Sequence, residues 1–245
     1  MLYLHQILII NIILIIVIYY IIQIQFINNL TYGTIFKSVE TKFNNFEFIF
    51  IDIPFSKIVK FCPPPPSNNS SVTYNELLLL DKITSKTNHK FNHIMDKLDQ
   101  NAGHFFHKFI EKKNLKIHEK QFVLLDIFVS ELEQITYKLK YVFNRPRAYQ
   151  LGSYHNIPIK ARYAITGNTP AYPSGHAMIG YGYCLFLSHL FPKYKKKFYK
   201  LAKQVDYSRI NVGVHYPSDG IASKIVVHKI FKKIKYKIFS LNLDT

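Results

Sequence analysis

The sequence predicts an all-α fold, a helical bundle preceded by one N-terminal hydrophobic helix. Apolar residues step by three and four along several segments, most clearly at Leu125, Phe128, Leu132, Ile135 and Leu139, which is the period of one helix face. Residues 7–22 read ILIINIILIIVIYYII, apolar except for Asn11, and no Asp, Glu, Lys or Arg precedes Lys37. Strand character is confined to one patch, Phe46–Ile51.

The elements follow in chain order. A spanning helix needs about 20 apolar residues, and Leu2–Ile27 can supply them. A cleaved signal peptide brings a basic start and a small-residue cleavage site. This segment has only His5 and no such site. Residues 1–30 therefore read as a signal-anchor in preference to a cleaved signal segment, with membrane association through residues 7–27. Residues 31–61 read as a linker, and 62–240 as the globular domain. That domain opens on Pro63–Pro66, a run that favours polyproline II and excludes helix. Helices are expected at Asn75–Ile83, Phe91–Leu98, Phe105–Ile110, Gln121–Phe143, Ser174–Phe191, Lys193–Ile210 and Tyr216–Ile238. Residues 146–173 form a loop rich in Gly, Pro and Asn, and a loop that long inside a compact domain is commonly functional.

Charge is divided unevenly. The net charge is +17, and residues 134–245 hold 19 Lys/Arg against 3 Asp/Glu. A field of that sign concentrates anions. The Lys-rich stretches 193–203 and 224–237 lack the Arg-plus-aromatic order of a nucleic-acid module, so no nucleic acid is expected, and a solvated lysine surface is the plain alternative. Cys62 and Cys184 have no metal-ligand spacing, and Cys184 sits in an apolar run that suits a buried free thiol. The pairs His89/His93 and His104/His107 have helical spacing, but no carboxylate or cysteine cluster completes a metal site.

Three blocks carry chemistry. Lys138 and Arg145 are seven apart, two helical turns, which points both cations the same way. A guanidinium fork and an ammonium together suit a phosphate. Pro173, Ser174, Gly175 and His176 open an apolar helix. Its first turn offers free N–H groups and a partial positive charge, and Gly175 allows close approach. Ser208, Arg209, His215 and Asp219 form the third block, with Gly213 allowing a turn. If His215 begins the last helix, the Asp219 carboxylate reaches one ring nitrogen and leaves the other as nucleophile or base. Each block alone has an ordinary reading: wet cations, a capped helix, an incidental histidine. Together they give three cations, a helix N-terminus and two histidines, which is what phosphoryl transfer requires.

The order K-x6-RP, PSGH, SR-x5-H-x3-D resembles the type 2 phosphatidic acid phosphatase and vanadium haloperoxidase superfamily. Cys62, Pro63–Pro66, Ser67 and Asn68 resemble the proline-rich stretch of class A bacterial nonspecific acid phosphatases. The resemblance covers residues 62–230 and implies a helical bundle of that type holding a metal-independent phosphomonoesterase. It implies His215 as nucleophile, Asp219 as its orienting carboxylate and His176 as the leaving-group acid. Lys138, Arg145, Ser174, Gly175 and Arg209 would hold the phosphate, with no cofactor and no metal. His176 is followed by Ala177, where those acid phosphatases often carry Thr, and Ala148–Pro170 has no clear counterpart. The substrate is then a small phosphoester or a lipid phosphate. The rival from another class is a vanadium-dependent haloperoxidase. Topology is drawn two ways: Lys37 and Lys42 favour a cytosolic domain, whereas sequons at Asn29, Asn68 and Asn69 favour an extracytoplasmic or secreted one.

Overall fold

The computed structural model describes residues 2–35, 46–86, 97–162 and 164–241. Among them there is no strand, and the fold is all-α. The helices are α1 (Leu2–Asn29), α2 (Tyr32–Ile35), α3 (Phe55–Phe61), α4 (Ser71–Thr84), α5 (His104–Lys112), α6 (Glu119–Phe143), α7 (Ala148–Gly152), α8 (Gly175–Leu190), α9 (Lys195–Asn211) and α10 (Pro217–Ser240). The expected helix at Phe91–Leu98, the His89/His93 pair, and Lys37 and Lys42 lie wholly or mostly outside the described residues.

α8 is the central element. It is apolar on nearly every face and packs against α6, α9 and α10, the pattern of a helix surrounded by others. Small residues set its approach: a Cβ on Gly182 would lie 2.6 Å from Leu132 Cδ1 on α6. The outer helices bury one stripe each. On α6 that stripe is Leu125, Phe128, Leu132, Ile135 and Leu139, the residues whose spacing announced it.

α8 and α10 run side by side. Their C-terminal halves meet through Phe186–Phe239 and His189–Phe239 ring contacts. Their N-terminal ends meet where Ser223 Oγ donates to Ser174 O at 2.7 Å. The bundle therefore has two distinct ends. One gathers the C-termini of α6 and α9 and the N-termini of α8 and α10.

Described residues of the segment read as a linker, and Leu30 just before it, are buried in the domain. Leu30 and Tyr32 are buried, and Leu30 packs in a second core with Leu77, Leu80, Leu151, Ile210 and Tyr216. Phe50, Ile51 and Ile58 belong to the main core. The strand expected at Phe46–Ile51 does not form, and among the described residues there is no second strand to pair with it. Its polar backbone is satisfied instead by one buried carboxylate: Glu131 on α6 accepts from the N–H groups of Ile49, Phe50 and Ile51.

α1 stands apart from the core. Its 25-residue stretch His5–Asn29 is long and apolar enough to cross a membrane, and none of the window is buried. Cys62 and Cys184 are free and buried, and burial pushes both thiols up to about 11.

Candidate active site

The end of the bundle where four helix termini converge holds a cavity of about 290 Å³. Its walls include Thr136, Tyr137, Lys140, Arg147, Thr169, Gly175, His176 and His215. The third block is built by a tight turn. Gly213 adopts φ 76°, a left-handed conformation open to glycine, and lets the chain reverse between α9 and α10. His215 then sits just before α10, and Asp219 occupies the third position of that helix. The carboxylate Oδ2 accepts from His215 Nδ1 at 2.9 Å and from the Tyr216 N–H at 3.0 Å.

Arg147 fixes the histidine tautomer. Its Nη1 lies 2.9 Å from His215 Nε2. A guanidinium only donates, so Nε2 carries the lone pair and Nδ1 the proton. Burial, then the neighbouring Arg147, Lys140 and Arg209 charges, holds His215 well below the usual histidine range. The ring is therefore neutral, with its Nε2 electron pair, which accepts from Arg147, at the cavity.

Arg145 is absent from the cavity wall and is held by two carboxylates. Its Nη1 reaches Asp219 Oδ1 at 2.6 Å, and its Nη2 reaches Glu76 Oε2 at 3.3 Å. The guanidinium also lies 3.7 Å from the Tyr216 ring centroid. Glu76 in turn accepts from the Ser218 N–H at 2.6 Å. Arg145 thus ties α4 to the start of α10 behind the His215–Asp219 pair. Lys138 points away from the cavity, its ammonium 5.4 Å from the Phe48 ring centroid.

The cations that reach the cavity are Lys140 and Arg147. They keep the same seven-residue spacing, displaced by two. The reason is local: α6 ends at Phe143, and Asn144 turns left-handed with φ 46°. The two-turn register therefore stops before Arg145. Lys140 lies about 200° around α6 from Lys138, on the face shared with Thr136 and Tyr137. Its Nζ donates to Pro170 O at 2.5 Å. Arg147 donates to Thr169 O and Val214 O at 2.7 and 2.9 Å. Both side chains are buried, at 5% and 1% exposure, and among the described residues neither forms an ion pair. Burial and the Arg147 charge hold Lys140 well below the usual lysine range.

The second block divides its labour. Ser174 caps α8 by accepting from the Ala177 N–H at 3.4 Å, and its own N–H donates to Asp219 O at 3.2 Å. It is fully buried and absent from the cavity wall. Gly175 and His176 do reach the wall, and a Cβ on Gly175 would meet nothing closer than 3.8 Å. Burial and the Arg209 charge push His176 down to about 3, against the pull of Asp99.

Asp99, Thr166 and Arg209 close one side. Arg209 Nη2 pairs with Asp99 Oδ1 at 2.9 Å, and Thr166 donates to the same oxygen at 2.7 Å. The Asp99 carboxylate is 3.9 Å from His176 Nε2. Arg209 Nε is buried without a partner. Lys140, Arg147, Asp99 and Glu76 were not identified from sequence. For the first two a signal existed, the second frame of the same Lys–Arg spacing. For the two acids there was none. His107 Nε2 lies 3.2 Å from the Tyr183 hydroxyl, and among the described residues no group of three or more potential metal ligands gathers.

The chain is similar to proteins of known activity. A non-specific acid phosphatase of Providencia stuartii is 28% identical over 172 residues, 67% of this chain and 68% of that protein. A transmembrane PAP2-type phosphatidylglycerolphosphate phosphatase from Bacillus subtilis superposes with a TM-score of 0.49 at 18% identity, over 78% of this chain and 94% of its own. Residues 123–227 match the PAP2 superfamily model, and that stretch carries Lys140, Arg147, Gly175, His176, Arg209, His215 and Asp219.

Proposed function

We propose that this protein is a phosphomonoesterase that works through a phosphohistidine at His215, acting on a small phosphoester or a lipid phosphate. One observation carries the reading. Two buried cations without carboxylate partners, Lys140 and Arg147, face the same cavity as Nε2 of an Asp219-oriented His215. Buried unpaired cations are costly, and a phosphate dianion between them offsets that cost.

The steps follow from the geometry. The phosphate takes donors from Lys140, Arg147 and the Gly175 N–H, and Arg147 Nη1 exchanges the His215 lone pair for a phosphate oxygen. Nε2 attacks phosphorus, the P–O bond to the leaving group breaks, and His176 supplies the proton to that oxygen. Asp219 stabilises the positive charge that builds on the His215 ring. Water then attacks phosphorus, the N–P bond breaks, His176 takes the water proton, and inorganic phosphate leaves. Free His176 is neutral above about pH 3. The arriving dianion raises its pKa, which prepares it to act as an acid only when substrate is bound. Charge neutralisation comes from Lys140 and Arg147, so the reading uses no metal.

The test is hydrolysis of p-nitrophenyl phosphate by the full chain in detergent. Activity is expected to survive EDTA and to be blocked by micromolar vanadate, which adopts the five-coordinate geometry of the transition state. Loss of activity in EDTA with recovery on adding a divalent cation would overturn the reading. Halide oxidation with vanadate and peroxide, without ester hydrolysis, would establish the haloperoxidase instead.

A further inference from the structure

We infer that the active-site end of the bundle is a membrane-resting surface, and that α1 is clamped to it as a fixed strut. The first observation is how α1 ends. Its C-terminal carbonyls are not left to water. Asn68 Nδ2 donates to Ile27 O at 3.0 Å and to Leu30 O at 2.7 Å, and Asn28 Oδ1 accepts from the Asn69 N–H at 2.9 Å. Just beyond, the Tyr32 N–H donates to Asn144 O at 2.8 Å. Leu30 is buried in the second core. A flexible tether would make none of these bonds. Asn68 is itself 7% exposed, so its amide serves as a structural clamp and is closed to glycosylation in this fold.

The second observation is what surrounds that foot. Tyr154 lies 6.0 Å from Phe26 of α1, ring to ring. Tyr74 lies 6.1 Å from His155, whose Nε2 is 3.0 Å from Asn68 O. Tyr74, Leu78 and Tyr154 are 40–45% exposed. Tyr74 and Leu78 are one turn apart on α4, so they share a stripe. Apolar side chains with tyrosines beside the exit of a spanning helix match the interfacial belt, where an apolar ring meets headgroups.

The occupant follows from continuity. α1 leaves the domain at Phe26–Asn29, is apolar from Ile22 back to Ile7 except for Asn11, and over His5–Asn29 is long and apolar enough to cross a membrane, so a bilayer holding α1 brings its surface to Tyr74 and Tyr154. Asn144 links the foot to the chain between Lys140 and Arg147. The catalytic cavity thus shares the membrane-facing end. The opposite end of the bundle carries Tyr236, 76% exposed and about 27 Å along α10 from Ser218.

The chain contains no tryptophan, which gives a clean test. Tyr74→Trp, Tyr154→Trp and Tyr236→Trp are each placed in the full chain and reconstituted into phosphatidylcholine vesicles with or without brominated acyl chains. Tryptophan at 74 and at 154 is expected to lose most of its emission in brominated lipid, while tryptophan at 236 stays unchanged. Equal emission at 74 and 236 in both vesicles would overturn the inference, as would equal quenching at all three. Shielding of position 74 from acrylamide in lipid-free detergent, rising with protein concentration, would assign the face to a second copy and also overturn it.

Discussion

His215→Ala is expected to lower kcat by at least about 10³-fold, as removal of a covalent nucleophile does, while leaving the fold intact. The second half matters as much as the first. His215 is 4% exposed, and losing it orphans little. The Asp219 carboxylate keeps Arg145 and the Tyr216 N–H. Arg147 keeps the carbonyls of Thr169 and Val214. Thermal unfolding within a few degrees of the wild type, with no turnover of p-nitrophenyl phosphate, is the expected pair of results. Near-normal turnover would remove His215 from the chemistry.

The second large effect separates two arginines two residues apart. Arg147→Ala is expected to cut kcat/KM by at least about 10²-fold, the scale of losing a charge-assisted clamp on developing phosphoryl charge, with the bundle still folded. Arg145→Ala is expected to act on stability. It strands the Asp219 and Glu76 carboxylates, and removing one partner of a buried pair costs about 3–5 kcal/mol. Burial already pushes the Asp219 carboxyl up against the pull of Arg145. Unfolding on removal of Arg145 should therefore be sharpest where Asp219 is ionised. The lysines offer the matching contrast: Lys140→Ala should weaken phosphate inhibition strongly, and Lys138→Ala should leave it near the wild type. The reverse order, with Lys138 and Arg145 governing KM in a stable protein, would contradict the placement of the phosphate between Lys140 and Arg147.

These contrasts show where the sequence is legible and where it is not. The helices with regular apolar spacing, α6, α8 and α10, follow from periodicity, because burial of one stripe or all faces leaves a mark on every turn. The His215–Asp219 pair follows from a spacing of four at the start of a helix. The choice between Lys138 with Arg145 and Lys140 with Arg147 does not follow from spacing, since both pairs are seven apart. It is decided by the left-handed turn at Asn144, a backbone event that ends the helix register one residue before Arg145. Ser174 reads from sequence as either a cap or a phosphate donor, and it caps α8, as the start of a helix favours. Asp99, Glu76 and Glu131 are single acids whose partners lie 110, 69 and about 80 residues away, and contacts at that range leave no local trace. Residues 31–61 read as a linker because only the short strand-like patch Phe46–Ile51 shows any period, yet Phe50, Ile51 and Ile58 are buried.

The central claim is that phosphorus bonds to His215 Nε2 during turnover. Its most direct test is to quench the full chain in alkaline denaturant within one turnover of a radiophosphate-labelled ester, then map the labelled peptide. The account predicts protein-bound phosphate on the peptide containing His215, stable in alkali, lost in mild acid and absent from His215→Ala. Label that survives acid, or that persists in His215→Ala, would contradict it.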